Sequence, residues 1–216
     1  MARELKIVLA TRNPGKVREL RAVLGRMGVE AIGLEEIDPD RRIPEPPEDG
    51  DSFAENARAK AAYYARATGL PALADDSGLV VDALNGAPGT HSARYAAGEC
   101  PPDAGRGRID SANNARLLRE LAGVSDERRT ARFVCHLALS DAGRVLIESD
   151  GLIEGRIGHE PRGQNGFGYD PLFFVPELGC TTAELPEDRK NDFSHRGQAT
   201  RKFAAMLKEL LRRQPS

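Results

Sequence analysis

The stretch Ile7-Val8-Leu9-Ala10-Thr11-Arg12-Asn13-Pro14-Gly15-Lys16 passes from an apolar run into a turn, then into a helical pattern led by Val17, Leu20 and Leu24. Strand, tight turn and helix start, in that order, are how an α/β chain builds a phosphate-binding corner. Unpaired N–H groups and the positive dipole end of a helix N-terminus attract an anion. Asn13 suits the N-cap, and Pro14 suits the first helical position, where its missing N–H would be unpaired in any case. Lys16 stands in the first turn against the helix dipole, so a bound phosphate would offset a local mismatch. Against the P-loop G-x-x-x-x-G-K-[ST], Ala10 replaces the first glycine and Val17 the hydroxyl. The segment is a phosphate corner without a Walker A motif; the same residues also suit an ordinary βα turn with a solvent lysine.

The chain has 216 residues, enough for one substantial α/β domain or one domain with two lobes. Its 31 Lys+Arg nearly balance 33 Asp+Glu, and no long basic run marks a nucleic-acid or membrane surface. No apolar stretch approaches the ~20 residues of a membrane helix, and no signal-peptide core is visible, so a cytoplasmic protein is expected. Cys100, Cys135 and Cys180 are odd in number and far apart, and read as free thiols of a reducing compartment.

Residues 38–51 (DPDRRIPEPPEDGD) are rich in proline and acid and predict an exposed loop. Ser52 and Glu55 form an S-x-x-E capping signal for a helix carrying Ala54, Ala57, Ala61 and Tyr64. Pro71–Ala74 predicts a short strand ending at Asp75-Asp76-Ser77-Gly78, and residues 98–110 an irregular loop before a helix over Asn113–Leu121. Thr130–Leu139 alternates and pairs by hairpin with Val145–Ile157, and Pro171–Val175 reads as another buried strand. Ser194 or a neighbour caps a last helix striped with Ala199, Phe203, Met206, Leu207 and Leu210. Without a strict βαβ rhythm, the pattern favours a mixed sheet flanked by helices over a Rossmann fold.

Four segments carry candidate chemistry. Asp75 and Asp76 follow an apolar run, and neighbouring strand residues face opposite ways, so the two acids do not share one task. One can bind Mg²⁺, which needs few protein carboxylates when phosphate oxygens complete its shell; the bland alternative is an Asx-type turn. Glu48 is a second carboxylate candidate in the acidic loop, and Asn56 and Lys60 share a helix face that can meet phosphate or simply solvent. Phe167, between Gly166 and Gly168, offers a ring to a flat ligand, or is one buried aromatic of a turn. His195 and Arg196 open the last helix with Lys190 just before it, a basic start that wants an anion or carbonyl partner.

Taken together, these segments resemble the non-canonical purine nucleoside triphosphate pyrophosphatases, also called inosine triphosphatases. The matching pieces are Leu9–Leu20, Glu48–Ala61, Pro71–Val81, Gly86–Tyr95, Gly166–Pro176 and Ser194–Ala199, in the family's order over nearly the whole chain. The resemblance implies an elongated mixed sheet flanked by helices, with residues 1–216 forming one domain of two lobes and a substrate cleft between them. It implies a homodimer and Mg²⁺-dependent hydrolysis of ITP, dITP and XTP to the monophosphate and pyrophosphate. Carried over by position, Thr11, Arg12, Asn13, Pro14, Gly15, Lys16 and Lys60 would hold the triphosphate. Glu48 and Asp76 would bind metal, with Asp76 also the base that activates water and Ser77 touching substrate beside it. Phe167 would stack on the purine, with Gly168, Tyr169 and Asp170 shaping that pocket. Lys190, His195 and Arg196 would contact the nucleotide and read its 6-oxo group, and Arg94 would close over it. The sequence departs from the family in the longer stretch Ala97–Ile109, left without a role, and in Arg189, which could exchange roles with Lys190.

Rival readings are a P-loop-like kinase or ATPase, a house-cleaning pyrophosphatase for modified pyrimidine nucleotides, and a non-catalytic nucleotide-binding module. The missing Gly and Ser/Thr in Ala10–Val17 oppose the first, and the absence of a basic stripe weakens an RNA-binding version of the last.

Overall fold

The apolar run forms strand β1 (Lys6–Leu9), and Asn13 caps helix α1 (Pro14–Gly25) with Pro14 in its first turn. A computed structural model describes residues 6–26 and 28–213. After α1 come β2 (Glu30–Gly33), the one-turn α2 (Leu34–Ile37), α3 (Phe53–Thr68) and β3 (Ala72–Val81). Then follow α4 (Arg106–Glu120), β4 (Thr130–Asp141), β5 (Arg144–Ile157), β6 (Phe173–Val175), β7 (Cys180–Thr181), α5 (Glu187–Phe193) and α6 (His195–Arg213). The strands are hydrogen-bonded in the order β2-β1-β3-β4-β5-β6-β7. β1 pairs parallel with β2 and β3, whereas β6 is antiparallel to both β5 and β7. The sheet is mixed and flanked by helices, as the element pattern predicts. No described helix is long and apolar enough to cross a membrane.

The chain divides into two compact units. The first comprises the described residues of Met1–Asp76, Cys135–Gly151 and Ser194–Ser216. Its strands are covered on both faces, and the period of two sorts their residues cleanly. Ile7, Leu9 and Leu73 pack with Val17, Leu20 and Leu24 of α1 and Ala199, Phe203 and Leu207 of α6. Val8, Ala10, Ala72 and Ala74 pack instead with Ala57, Ala61, Tyr64 and Ala65 of α3. Small residues on the second face let α3 lie close. Ser52 Oγ accepts from Glu55 N at 3.2 Å and so caps α3, although the Glu55 carboxylate turns to Asp51 N at 2.9 Å.

The second unit comprises Ser77–Val134 and Leu152–Phe193. Its core joins Leu79 and Val81 of β3, Leu117 of α4, Ala131 and Phe133 of β4, Ile153 and Ile157 of β5, and Phe173 and Val175 of β6. Buried Arg129 has no carboxylate within ion-pair distance among the described residues. It donates to three carbonyls instead: Ile157 O at 2.8 Å, Leu121 O at 2.9 Å and Gly158 O at 2.8 Å. One guanidinium fork thereby ties the end of α4 to the end of β5, and burial lowers its pKa.

Two local expectations are corrected, and one short helix is added. β3 does not end at Asp75 but runs on to Val81, because Leu79 and Val81 resume the buried pattern after the acids. α4 begins at Arg106, inside the stretch expected to be irregular. Its first turn buries no apolar side chain and is held by an Arg106–Asp110 pair at 3.0 Å, so no periodic signal marks it. The region around Lys190 is helical as α5, too short to show a period.

Replacing Arg129 by Met should strip donors from three carbonyls, each costing ~1–3 kcal/mol if left buried and unpaired. Urea unfolding followed by circular dichroism should show a loss of at least ~2 kcal/mol; an unchanged midpoint would refute the clamp.

Candidate active site

The alternation along β3 decides what its two acids meet. Asp75 is in phase with Leu73 and enters the α1/α6 side, fully buried. There Lys16 Nζ lies 2.6 Å from Oδ1 and Arg196 Nε 2.6 Å from Oδ2. Arg196 also reaches Glu19 through Nη1 at 2.5 Å, and Cys135 Sγ donates to Asp75 at 3.5 Å. Two cations and two carboxylates balance in this cluster. Burial alone would raise the Asp75 pKa, but Arg196 and Lys16 outweigh it and hold the group well below the usual range. Burial would likewise lower the Arg196 pKa, but Asp75 and Glu19 drive it upward.

Asp76, one residue on, is in phase with Ala72 and Ala74 and faces α3. It accepts from Asn56 Nδ2 at 3.2 Å, and Lys60 Nζ stands 3.5 Å from its Oδ1. Lys60 also pairs with Glu48. Asn56 and Lys60, a turn apart on α3, therefore act from one face as the spacing predicts. Burial raises the Asp76 pKa and the Glu48 charge adds to it, while Lys16 and Lys60 pull against the rise. The Lys60 pKa is raised, since Asp76 and Glu48 outweigh its burial.

Glu48, Asp76 and Lys60 together carry one surplus negative charge when ionised, on hard oxygen donors. No set of three or more His, Cys, Asp or Glu among the described residues is arranged to hold a metal. Two carboxylates with a charge surplus nonetheless fit Mg²⁺, which takes its remaining oxygens from phosphate and water.

At the opening corner Asn13 caps α1, as its place in the sequence predicts. Four of the corner's amides have partners within the chain: Asn13 Oδ1 accepts from Gly15 N at 2.9 Å and Lys16 N at 3.4 Å. Thr11 Oγ1 accepts from Asn13 N at 3.2 Å, and Thr11 N donates to Leu9 O at 2.8 Å. The counter-charge of Lys16 is Asp75. What the corner offers an anion is side chains more than bare amides. Arg12 turns elsewhere, donating from Nη2 to Asp38 at 2.5 Å and to Ile43 O at 3.1 Å.

In the second unit, Gly166 (φ 78°) and Gly168 (φ 63°) give the left-handed turn that presents Phe167. Asp170 closes the turn: its Oδ2 accepts from Phe167 N at 2.7 Å and from Lys190 Nζ at 2.6 Å, and its Oδ1 from Thr182 Oγ1 at 2.9 Å. A Cβ at position 166 would stand 2.0 Å from that Oδ2, so glycine is required twice over. Lys190 Nζ lies over the Phe167 ring, 5.0 Å from its centroid. α4 holds the far side, with Asp110 Oδ2 accepting from Gly168 N at 3.1 Å and Asn114 Nδ2 donating to Gly168 O at 2.9 Å. Tyr169 is a core residue whose hydroxyl donates to Ser92 O at 2.9 Å.

The structure thus gathers the candidates into three clusters: Lys16 with Arg196, Lys60 with Glu48 and Asp76, and Phe167 with Asp170 and Lys190. His195 is buried at the start of α6, whose cap is Ser194: its Oγ accepts from Gly197 N at 3.0 Å. Ser77 is half-buried on β3. Sequence reasoning missed Glu19, Asp110 and Asn114. An acid on the buried stripe of α1 was the one signal for Glu19; for the α4 pair there was none.

The Ham1 family model matches residues 7–206. A dITP/XTP pyrophosphatase of Geobacter sulfurreducens is 51% identical over 206 residues, 95% of this chain and 96% of its own. A dITP/XTP pyrophosphatase of Exiguobacterium sibiricum is 48% identical over 207 residues, 96% and 99% of the two chains. The solved structure of a HAM1 protein from Coxiella burnetii superposes with a TM-score of 0.80 at 42% identity, covering 95% of this chain and 99% of that one.

Asp75→Asn leaves Lys16 and Arg196 short of a buried counter-charge and should cost about 3–5 kcal/mol at pH 7. Because the folded pKa is depressed, this stabilisation is complete above the unfolded value of about 4 and fades as pH falls below it. Urea titrations should therefore converge for the two proteins in acid; equal stability at pH 7 would contradict the bridge.

Proposed function

The chain belongs to the Ham1 family, and on that premise we propose that it hydrolyses non-canonical purine nucleoside triphosphates (dITP, XTP and ITP) to the nucleoside monophosphate and pyrophosphate. The observation that carries the reading is Asp76: a buried carboxylate with raised pKa, flanked by Asn56, Lys60 and Glu48.

Such a group suits a general base, since burial makes it a stronger proton acceptor once ionised. In the proposed reaction Asp76 takes a proton from water as its oxygen attacks the α-phosphorus and pyrophosphate leaves. Phosphoryl chemistry depends mainly on alignment and charge neutralisation. Lys16 and Lys60 neutralise triphosphate oxygens, Thr11 and the capped turn Asn13–Lys16 fix the chain there, and Ser77 contacts substrate beside Asp76. Glu48 and Asp76 would hold Mg²⁺, which when bound supplies Lewis-acid stabilisation of charge on phosphate.

Phe167 provides the stacking surface for the purine, with Gly168 in its turn, and Asp170 and Lys190 hold that surface. Tyr169 shapes the pocket from the core. His195 and Arg196 read the 6-oxo group. Arg196 is gripped by two carboxylates, so it cannot swing away from an ill-matched base. An adenine 6-amino group facing such a donor leaves it unpaired, at about 1–3 kcal/mol per buried group. The reading extends to a homodimer in the cytoplasm, and light scattering after gel filtration tests the dimer.

With Mg²⁺ present, pyrophosphate release from ITP and XTP should exceed that from ATP and GTP, and orthophosphate as the product would sink the reading. Phe167→Ala should raise KM for ITP, since base stacking contributes ~1–3 kcal/mol. Asp76→Asn should remove turnover while leaving the fold intact by circular dichroism.

A further inference from the structure

The loop that carries Glu48 has little backbone structure of its own. Between Arg42 and Asp51, no backbone N–H or C=O is paired with another backbone group among the described residues outside regular elements. Pro44, Pro46 and Pro47 remove three donors from the stretch. Side chains hold the loop instead. At its far end, Asn56 Oδ1 accepts from Gly50 N at 2.9 Å, and a Cβ on Gly50 would lie 2.7 Å from that oxygen. In the middle, Lys60 pairs with Glu48.

At its near end the anchor is Arg12. Its side chain is nine-tenths buried, and Nη2 reaches both Asp38 and Ile43 O, while Nε lies 3.7 Å from Glu45 Oε1. Asp38 passes the hold along, accepting from Arg42 N at 2.7 Å and Ile43 N at 3.1 Å. Ile43 then packs against the small-residue core under α3. Arg12 thus touches three residues of the loop, and its charge is already matched by Asp38.

We propose that Arg12 is a positioning residue: it pins the acidic loop so that Glu48 stands beside Asp76 for the divalent cation, and it does not hold the triphosphate. The inference rests on the pyrophosphatase reading for its cation and on the loop geometry for everything else. Both bonds leave Nη2, so a lysine ammonium keeps donors for Asp38 and the Ile43 carbonyl but loses the guanidinium's longer reach and the Nε approach to Glu45. Arg12→Lys should therefore fall between wild type and Arg12→Ala.

The test compares full-length wild type, Arg12→Ala, Arg12→Lys and Asp38→Asn. Hydrogen exchange read by mass spectrometry, without nucleotide or metal, should show faster exchange over residues 41–50 in Arg12→Ala and Asp38→Asn, with α1 and α3 peptides unchanged. Mn²⁺ binding to the protein alone, followed by electron paramagnetic resonance, should weaken ~10-fold, as for loss of an outer-shell support. KM for ITP at saturating metal should stay within about twofold of wild type, below the roughly tenfold that 1.4 kcal/mol of lost phosphate binding would give. Unchanged exchange and Mn²⁺ affinity with a raised KM would overturn the proposal and make Arg12 a phosphate ligand. If Arg12→Ala does not fold, Asp38→Asn decides alone, since it cuts the anchor and spares the arginine. A wild type that releases no pyrophosphate from ITP defeats the functional reading, and the exchange measurement still decides whether Arg12 holds the loop.

Discussion

A carboxylate withdrawn from water grips two cations at once, and the first unit is arranged around that grip. Asp75 holds Lys16 from α1 and Arg196 from α6, and Glu19 completes the balance from α1. Without the acid, Lys16 would lose its counter-charge and Arg196 one of its two, and a buried charge short of partners is far costlier than a missing apolar contact. Such a pair is weak support for stability compared with an apolar core of the same volume. Its worth is in fixing where Lys16 and Arg196 stand, which a greasy substitute would not do.

The period of a strand then separates two tasks. Consecutive residues of β3 point to opposite faces, so one acid is spent on structure while its neighbour is left for the proposed chemistry. Asp75 meets strong cations at contact distance, which hold its pKa well down; for Asp76, burial and the nearby Glu48 outweigh the pull of Lys16, Lys60 and Asn56 and keep its pKa raised. Two identical side chains, adjacent in sequence, acquire opposite electrostatic characters from the helices they face. This is the pattern by which paired acids divide roles in active sites.

How much of this was legible follows from distance along the chain. Local signals were readable: Asn13-Pro14 at a helix start, Ser52 and Glu55 at another, the alternation from Ala131 to Leu139, the glycines around Phe167. Where a buried acid interrupts an apolar run, pattern reading fails, as at Asp75 in the middle of β3. It fails again where a helix begins without an apolar side chain, as at Arg106. The partners themselves are beyond pattern: Arg196 finds Asp75 across 121 positions and Glu19 across 177. The family resemblance named candidate residues for the site, but gave no hint that Arg12 turns toward Asp38.

The prolines of the acidic loop have a thermodynamic meaning as well. Ordering a residue of free backbone costs roughly 1–2 kcal/mol in lost conformational entropy. Pro44, Pro46 and Pro47 have φ fixed before the chain folds, and each restricts the residue ahead of it. The unfolded loop therefore samples fewer shapes, and less disorder must be surrendered when it settles. A handful of side-chain anchors suffices where a flexible segment of equal length would need a ladder of its own. Stiffness written into the sequence stands in for secondary structure, leaving the carboxylate of Glu48 on a tether that is irregular in form but narrow in its freedom.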